Sequence, residues 1–150
     1  DGQVLVAGGT TTGGGATNAA EIYEPSSNSW STIGGGMTEA RSGHTSSLLK
    51  DGKVLISGGE SSGVASSTLE IFNPATNSFA FVGTLSSARK DHAAAVLSDG
   101  RVLIGGGSDG NSALSSVDIY DPESGTLSQG PNLSTPRAGL SATTLVSEPA

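Results

Sequence analysis

One phrase recurs three times along this chain and restricts what it can fold into. DGQVLVAGG begins at Asp1, DGKVLISGG at Asp51 and DGRVLIGGG at Asp99, so the starts lie 50 and then 48 residues apart. A second phrase follows each: EIYEP from Glu21, EIFNP from Glu70 and DIYDP from Asp118. A period near fifty residues marks a repeat architecture, in which each unit buries its apolar face only by stacking on its neighbours. The chain divides into one array over residues 1–150, with units at about 1–40, 41–88 and 89–136 and a closing inner strand over 137–145.

Each unit reads as four short strands. In the unit starting at Arg41, residues 44–49 (HTSSLL) alternate and lead into Asp51-Gly52. Asp-Gly between apolar runs predicts a type I′ hairpin turn, and Asp99-Gly100 predicts the same one unit later. Residues 54–57 (VLIS) form a nearly continuous apolar run, as expected of a strand buried on both faces. It ends at Gly58-Gly59, matched by Gly8-Gly9 and Gly106-Gly107, where paired glycines permit a sharp exit or close backbone approach. The third strand, residues 69–72 (LEIF), is stopped by Pro74. Five residues after that proline, in each unit, an apolar residue (Trp30, Phe79 or Leu127) begins a fourth strand. Helical periodicity is sustained nowhere, so the fold class is all-β with antiparallel four-stranded sheets.

Composition narrows the partners. Fourteen acids against seven dispersed bases give a net charge of −7 and no patch to follow a phosphate backbone, which argues against nucleic acid. No apolar run is long enough for a membrane-spanning helix, and no leader is recognisable. Cysteine is absent, which removes thiolate chemistry. A first residue that is Asp rather than Met suggests a processed product or a piece of a longer protein. The Ser/Thr/Gly-rich, lysine-poor, acidic surface leans towards an extracellular or cell-surface setting.

The polar residues that recur do so at equivalent positions. Arg41/His44 and Arg89/His92 share one spacing, and Arg137 continues the series with Leu140 in the histidine slot. A catalytic centre needs dissimilar groups converging, so repetition assigns these residues to scaffold hydrogen bonding. Glu21, Glu70 and Asp118 are expected to partner the arginines. Asp109-Gly110-Asn111 lacks the later acids of a calcium loop, and the glycines at 13–15 and 34–36 lack the Lys-Ser/Thr of a phosphate loop. No metal or cofactor is expected. Asn132 begins the one glycosylation sequon. Trp30 and Phe79 have the size to stack on a sugar, but packing between units is their expected role.

Taken together, Arg-x-x-His, the paired glycines and the acidic-Ile-aromatic-x-x-Pro phrase resemble kelch repeats over essentially the whole chain. The resemblance implies a β-propeller whose blades have their first strand innermost. It also implies that the connections 10–20, 60–68 and 108–116, beside 33–39, 82–87 and 131–136, emerge on one face. The candidate binding residues there are Thr11, Thr12, Asn18, Glu60, Ser61, Ser62, Asp109 and Asn111. Some kelch-like propellers are copper oxidases whose cofactor joins a cysteine to a tyrosine; this chain has no cysteine, and Tyr23, Phe72 and Tyr120 fill the repeat's structural aromatic slot. The expected function is non-enzymatic recognition of a protein or glycan. Three blades suit a ring poorly, so the C-terminal strand is expected to complete the first blade of another copy, giving a six-bladed homodimer. The alternatives are a self-assembling ring or head-to-tail filament, a fragment of a longer kelch protein, and a carbohydrate-active enzyme.

Overall fold

The computed structural model describes residues 2–146; Asp1, and with it the first residue of the opening phrase, lies outside that range, as do residues 147–150. Thirteen strands and no helix form among the described residues, so no helix is long and apolar enough to cross a membrane. In chain order they are β1 (Val4–Ala7), β2 (Ala20–Glu24), β3 (Ser29–Thr32), β4 (Thr45–Leu48), β5 (Val54–Ser57), β6 (Glu60–Ser61) and β7 (Val64–Ala65). There follow β8 (Thr68–Asn73), β9 (Ser78–Thr84), β10 (Ala93–Val96), β11 (Val102–Gly105), β12 (Val117–Asp121) and β13 (Thr126–Gly130).

Three antiparallel sheets result, ordered β1-β2-β3, β4-β5-β8-β9 and β10-β11-β12-β13. Their registers coincide from unit to unit, with Leu5 opposite Ile22, Leu55 opposite Ile71 and Leu103 opposite Ile119. Equal spacing therefore places equal residues at equal points. The sheets stack through apolar layers. Ala20, Ile33 and Phe72, with Leu5, Ile22, Val54 and Phe79 around them, join the first sheet to the second. Leu55, Leu69, Val102, Ile104 and Tyr120 join the second to the third.

Four expectations need correction. The Asp-Gly hairpins are not type I′. Leu49 N–H donates to Lys53 O and Gly52 N–H to Leu49 O, and Gly52 alone in that turn carries positive φ, at 84°. This is a three-residue loop, a type I turn closed by a left-handed glycine, and Leu97, Gly100 and Arg101 repeat it. Second, the second unit has six strands rather than four, since β6 and β7 make a small hairpin within the connection after β5. Third, the first sheet is open on one face: Val4 and Val6 are 49% and 45% exposed, because among the described residues no sheet packs there as the first packs on Val54 of the second. Trp30 shows the same openness, 55% exposed and packed on Tyr23 of its own sheet at 5.2 Å rather than between units.

The fourth concerns residues 137–146, which form no strand among the described residues. Their backbone is nonetheless docked on the third sheet. Gly107 N–H donates to Arg137 O at 2.8 Å, as Gly59 does to Arg89 and Gly9 to Arg41.

Candidate functional site

The loops of the second and third units are held by buried ion pairs at their root. Arg41 Nη2 lies 2.6 Å from Glu70 Oε1, with both side chains fully buried. Its other donors reach Gly58 O at 2.6 Å and Thr68 Oγ1 at 3.0 Å. Arg89 repeats this with Asp118 at 2.9 Å and with the carbonyls of Gly106 and Ser116. The carboxylates in turn accept from the preceding connection, Thr38 N–H to Glu70 and Ser86 N–H and Oγ–H to Asp118. One charged pair thus fixes the chain leaving the second strand, the chain entering the third and the chain arriving from the unit before. That pinning lets the intervening loops vary without loosening the sheets.

The histidines join neighbouring sheets. His92, on the third unit, has Nε2 at 3.1 Å from both Thr45 Oγ1 and Ser57 Oγ of the second. Burial, then the positive charge of Arg89, pushes its pKa down to about 3. His44 is lowered by the same two causes, burial and Arg41. Both are neutral at ordinary pH, and the repeated arginines, acids and histidines of the two complete sheets are spent on the scaffold.

The candidate residues divide. Glu60 bridges to Ser42 and its carboxylate pairs with Lys90, while Lys90 bridges to Ser108. This links the second loop to the base of the third. Their tips lie side by side, a Cβ added to Gly110 standing 3.8 Å from Gly63 O. Ser61 and Ser62 belong to that meeting point, as does the turn of Asp109, whose Oδ1 accepts the N–H groups of Asn111 and Ser112. Thr11 and Thr12 sit apart in an exposed turn closed by Thr11 and Gly15, with no hydrogen bond among the described residues to the other two loops. Asn18 is used locally, its Nδ2 donating to Met37 O at 3.0 Å.

A cavity of about 330 Å³ opens beside the second loop, lined by Glu39, Ala40, Ser61, Val64, Ala65 and Ser66. Glu39 stands at its rim, with its side chain 44% exposed. Burial would raise its pKa, but hydrogen bonds from Thr68 and Ser66 and the charge of Arg41 hold it below the usual carboxylate range. It is a fixed anion presented among hydroxyl groups. Sequence reasoning by repetition passes over Glu39, since the second unit has Ser87 and the third Thr135 at that position. The one available signal was an acid two residues before an arginine.

A larger cavity, about 480 Å³, lies among the Asp-Gly turns at the other end of the sheets. Its cations are already engaged: Lys50 with Ser98 O, and Arg101 with Asp99. Among the described residues no cluster of three or more His, Asp or Glu is placed to hold a metal ion.

The family described as Kelch motif matches residues 40–86 and 89–134. Among solved structures, the one titled "Structure of YjhT" superposes with a TM-score of 0.78 at 17% sequence identity. The match covers 92% of this chain and 51% of that one, so this chain spans about half the length of its structural neighbour. No curated protein sequence matches.

Proposed function

This chain belongs to the kelch-repeat family, and from that premise we propose that it is a non-enzymatic β-propeller module recognising a protein or glycan through its long-loop face. Its three sheets are three blades, and two copies make one six-bladed ring acting outside the cell. The observation that carries the recognition reading is the junction of the second and third loops, where Glu60 and Lys90 tie two units together beneath an exposed surface of hydroxyl, amide and carboxylate groups. A rigid scaffold presenting polar loops costs little ordering entropy on binding, which suits recognition. Glu39 adds a fixed negative charge, which favours ligands offering N–H or O–H donors.

The test is a glycan-array and immobilised-protein screen of the wild type against a variant carrying Ser61→Ala, Ser62→Ala, Asp109→Ala and Asn111→Ala. Saturable binding that the loop variant loses, and that Arg101→Ala on the opposite face retains, is the expected result. Binding unaffected by the loop changes, or turnover of a bound glycan, would refute it. Self-assembly as the function itself is the second reading, favoured by the open backbone edge of β1.

A further inference from the structure

The root of the second sheet holds one carboxylate more than its arginine can neutralise. Arg41 faces two acids, Glu70 at 2.6 Å and Glu39 at 3.4 Å. Arg89 faces Asp118 alone, because Ser87 stands two residues before it where Glu39 stands before Arg41. The surplus charge resides on Glu39, since Glu70 takes the short contact with the guanidinium and accepts the N–H groups of Thr38 and Glu39 as well. Lys90, the cation at the base of the next loop, is held by Glu60.

Glu39 is anchored at both ends. Its N–H donates to Glu70 Oε1 at 3.3 Å, which fixes the backbone. Its Oε2 accepts from the hydroxyls of Ser66 at 2.9 Å and Thr68 at 2.8 Å and from Arg41 Nη2 at 3.4 Å. Its Oε1 accepts no hydrogen bond among the described residues. All of these contacts come from residues 38–70, within one unit and the turn leading into it. Beside this anion lies the cavity of about 330 Å³, where Ala40, Val64 and Ala65 supply apolar walls and Ser61 a further hydroxyl. That volume is at the lower end of ligand pockets, about 300–1,000 Å³, and suits one side chain better than an oligosaccharide. No aromatic ring lines it, so a sugar finds no flat face on which to stack.

We propose that this cavity takes a lysine side chain of a protein partner, its ammonium on Glu39 Oε1 and its aliphatic stem along Val64 and Ala65. Lysine joins the two parts the cavity fits, a compact cation and a flexible apolar stem. Arginine fits less well, because its fork meets both oxygens of a carboxylate and Oε2 is already filled by three donors. The anion is held in place before the ligand arrives, so little ordering opposes binding. The net charge of −7 attracts basic partners over a longer range. The inference rests on the recognition reading above and narrows it to a protein and to one side chain.

The test is a titration of the isotope-labelled chain with Nα-acetyl-lysine methylamide, followed by amide shifts in NMR spectra. Saturable shifts are expected at Glu39, Ala40, Ser61 and residues 64–66, weakening as salt is added. The Nε-acetylated probe, which lacks the cation, should produce none, and the arginine counterpart and glucosamine should bind more weakly. Glu39→Gln keeps an acceptor for Ser66 and Thr68 but loses the charge, and should weaken the lysine probe by at least about tenfold. Val64→Lys, at a position 71% exposed, sets an ammonium of the chain's own at the cavity and should weaken the probe with the fold unchanged. Absent shifts, shifts confined to other residues, or binding that survives both substitutions would overturn the proposal. Tighter binding of the arginine probe or of glucosamine would overturn the choice of lysine. A partner found in the screen above that binds Glu39→Gln as well as wild type overturns the lysine pocket and leaves the recognition reading standing, whereas a screen with no partner overturns that reading itself.

Discussion

Replacing His92 by leucine should flatten the acid dependence of stability. His92 is 5% exposed and its pKa in the folded chain is about 3, against about 6.5 when unfolded. Between those values the unfolded chain binds one more proton than the folded chain, so stability is lost as the pH drops, at about 1.4 kcal/mol per pH unit. From about pH 8 to about pH 4.5 the loss due to this one ring is about 2.7 kcal/mol. Leucine is the chosen replacement because Leu140 fills the same slot against Gly106. Thr45 and Ser57 keep their mutual hydrogen bond at 2.5 Å when the imidazole goes. His44 and the exposed carboxylates remain in both proteins, so their acid losses cancel in the comparison. Urea unfolding at fixed protein concentration, followed by circular dichroism at the two pH values, measures it. The wild type should lose about 2.7 kcal/mol more than His92→Leu on acidification; parallel losses would refute the claim that His92 is held neutral between the sheets.

Three further changes address the scaffold. Arg89→Leu leaves Asp118 as a buried carboxylate without its cation and should destabilise by about 3–5 kcal/mol in chemical unfolding. Gly58→Ala puts a Cβ 2.4 Å from Arg89 O at a φ of 59°, and should cost more than about 2 kcal/mol, whereas Gly52→Asn, with open space around it and a left-handed φ that asparagine tolerates, should stay within about 1 kcal/mol. Equal shifts in melting temperature for the two glycine variants would contradict this distinction.

Repetition made most of the fold legible. Residues at equal spacing fell at equal registers, so the strands around Val54, Leu69 and Phe79 could be placed to within a few residues. The hairpins were misread because Asp-Gly specifies a turn but not its length. The type I turn with a closing glycine also satisfies Asp-Gly, and Asp51 Oδ1 accepting from Lys53 N–H stabilises it. Trp30 was misplaced for a different reason: it stands on a face of the first sheet that no other sheet covers among the described residues, so it packs on Tyr23 of its own sheet instead.

The candidate site was harder to see because period and particularity carry opposite information. Whatever recurs in every unit is fixed by what every unit must do: hold its strands and receive the next sheet. Arg41, Arg89, His44 and His92 are buried or half-buried for that reason. On the recognition reading proposed above, ligand choice resides where the units differ, at Glu39 beside its hydroxyl partners and at the dissimilar tips around Gly63 and Gly110.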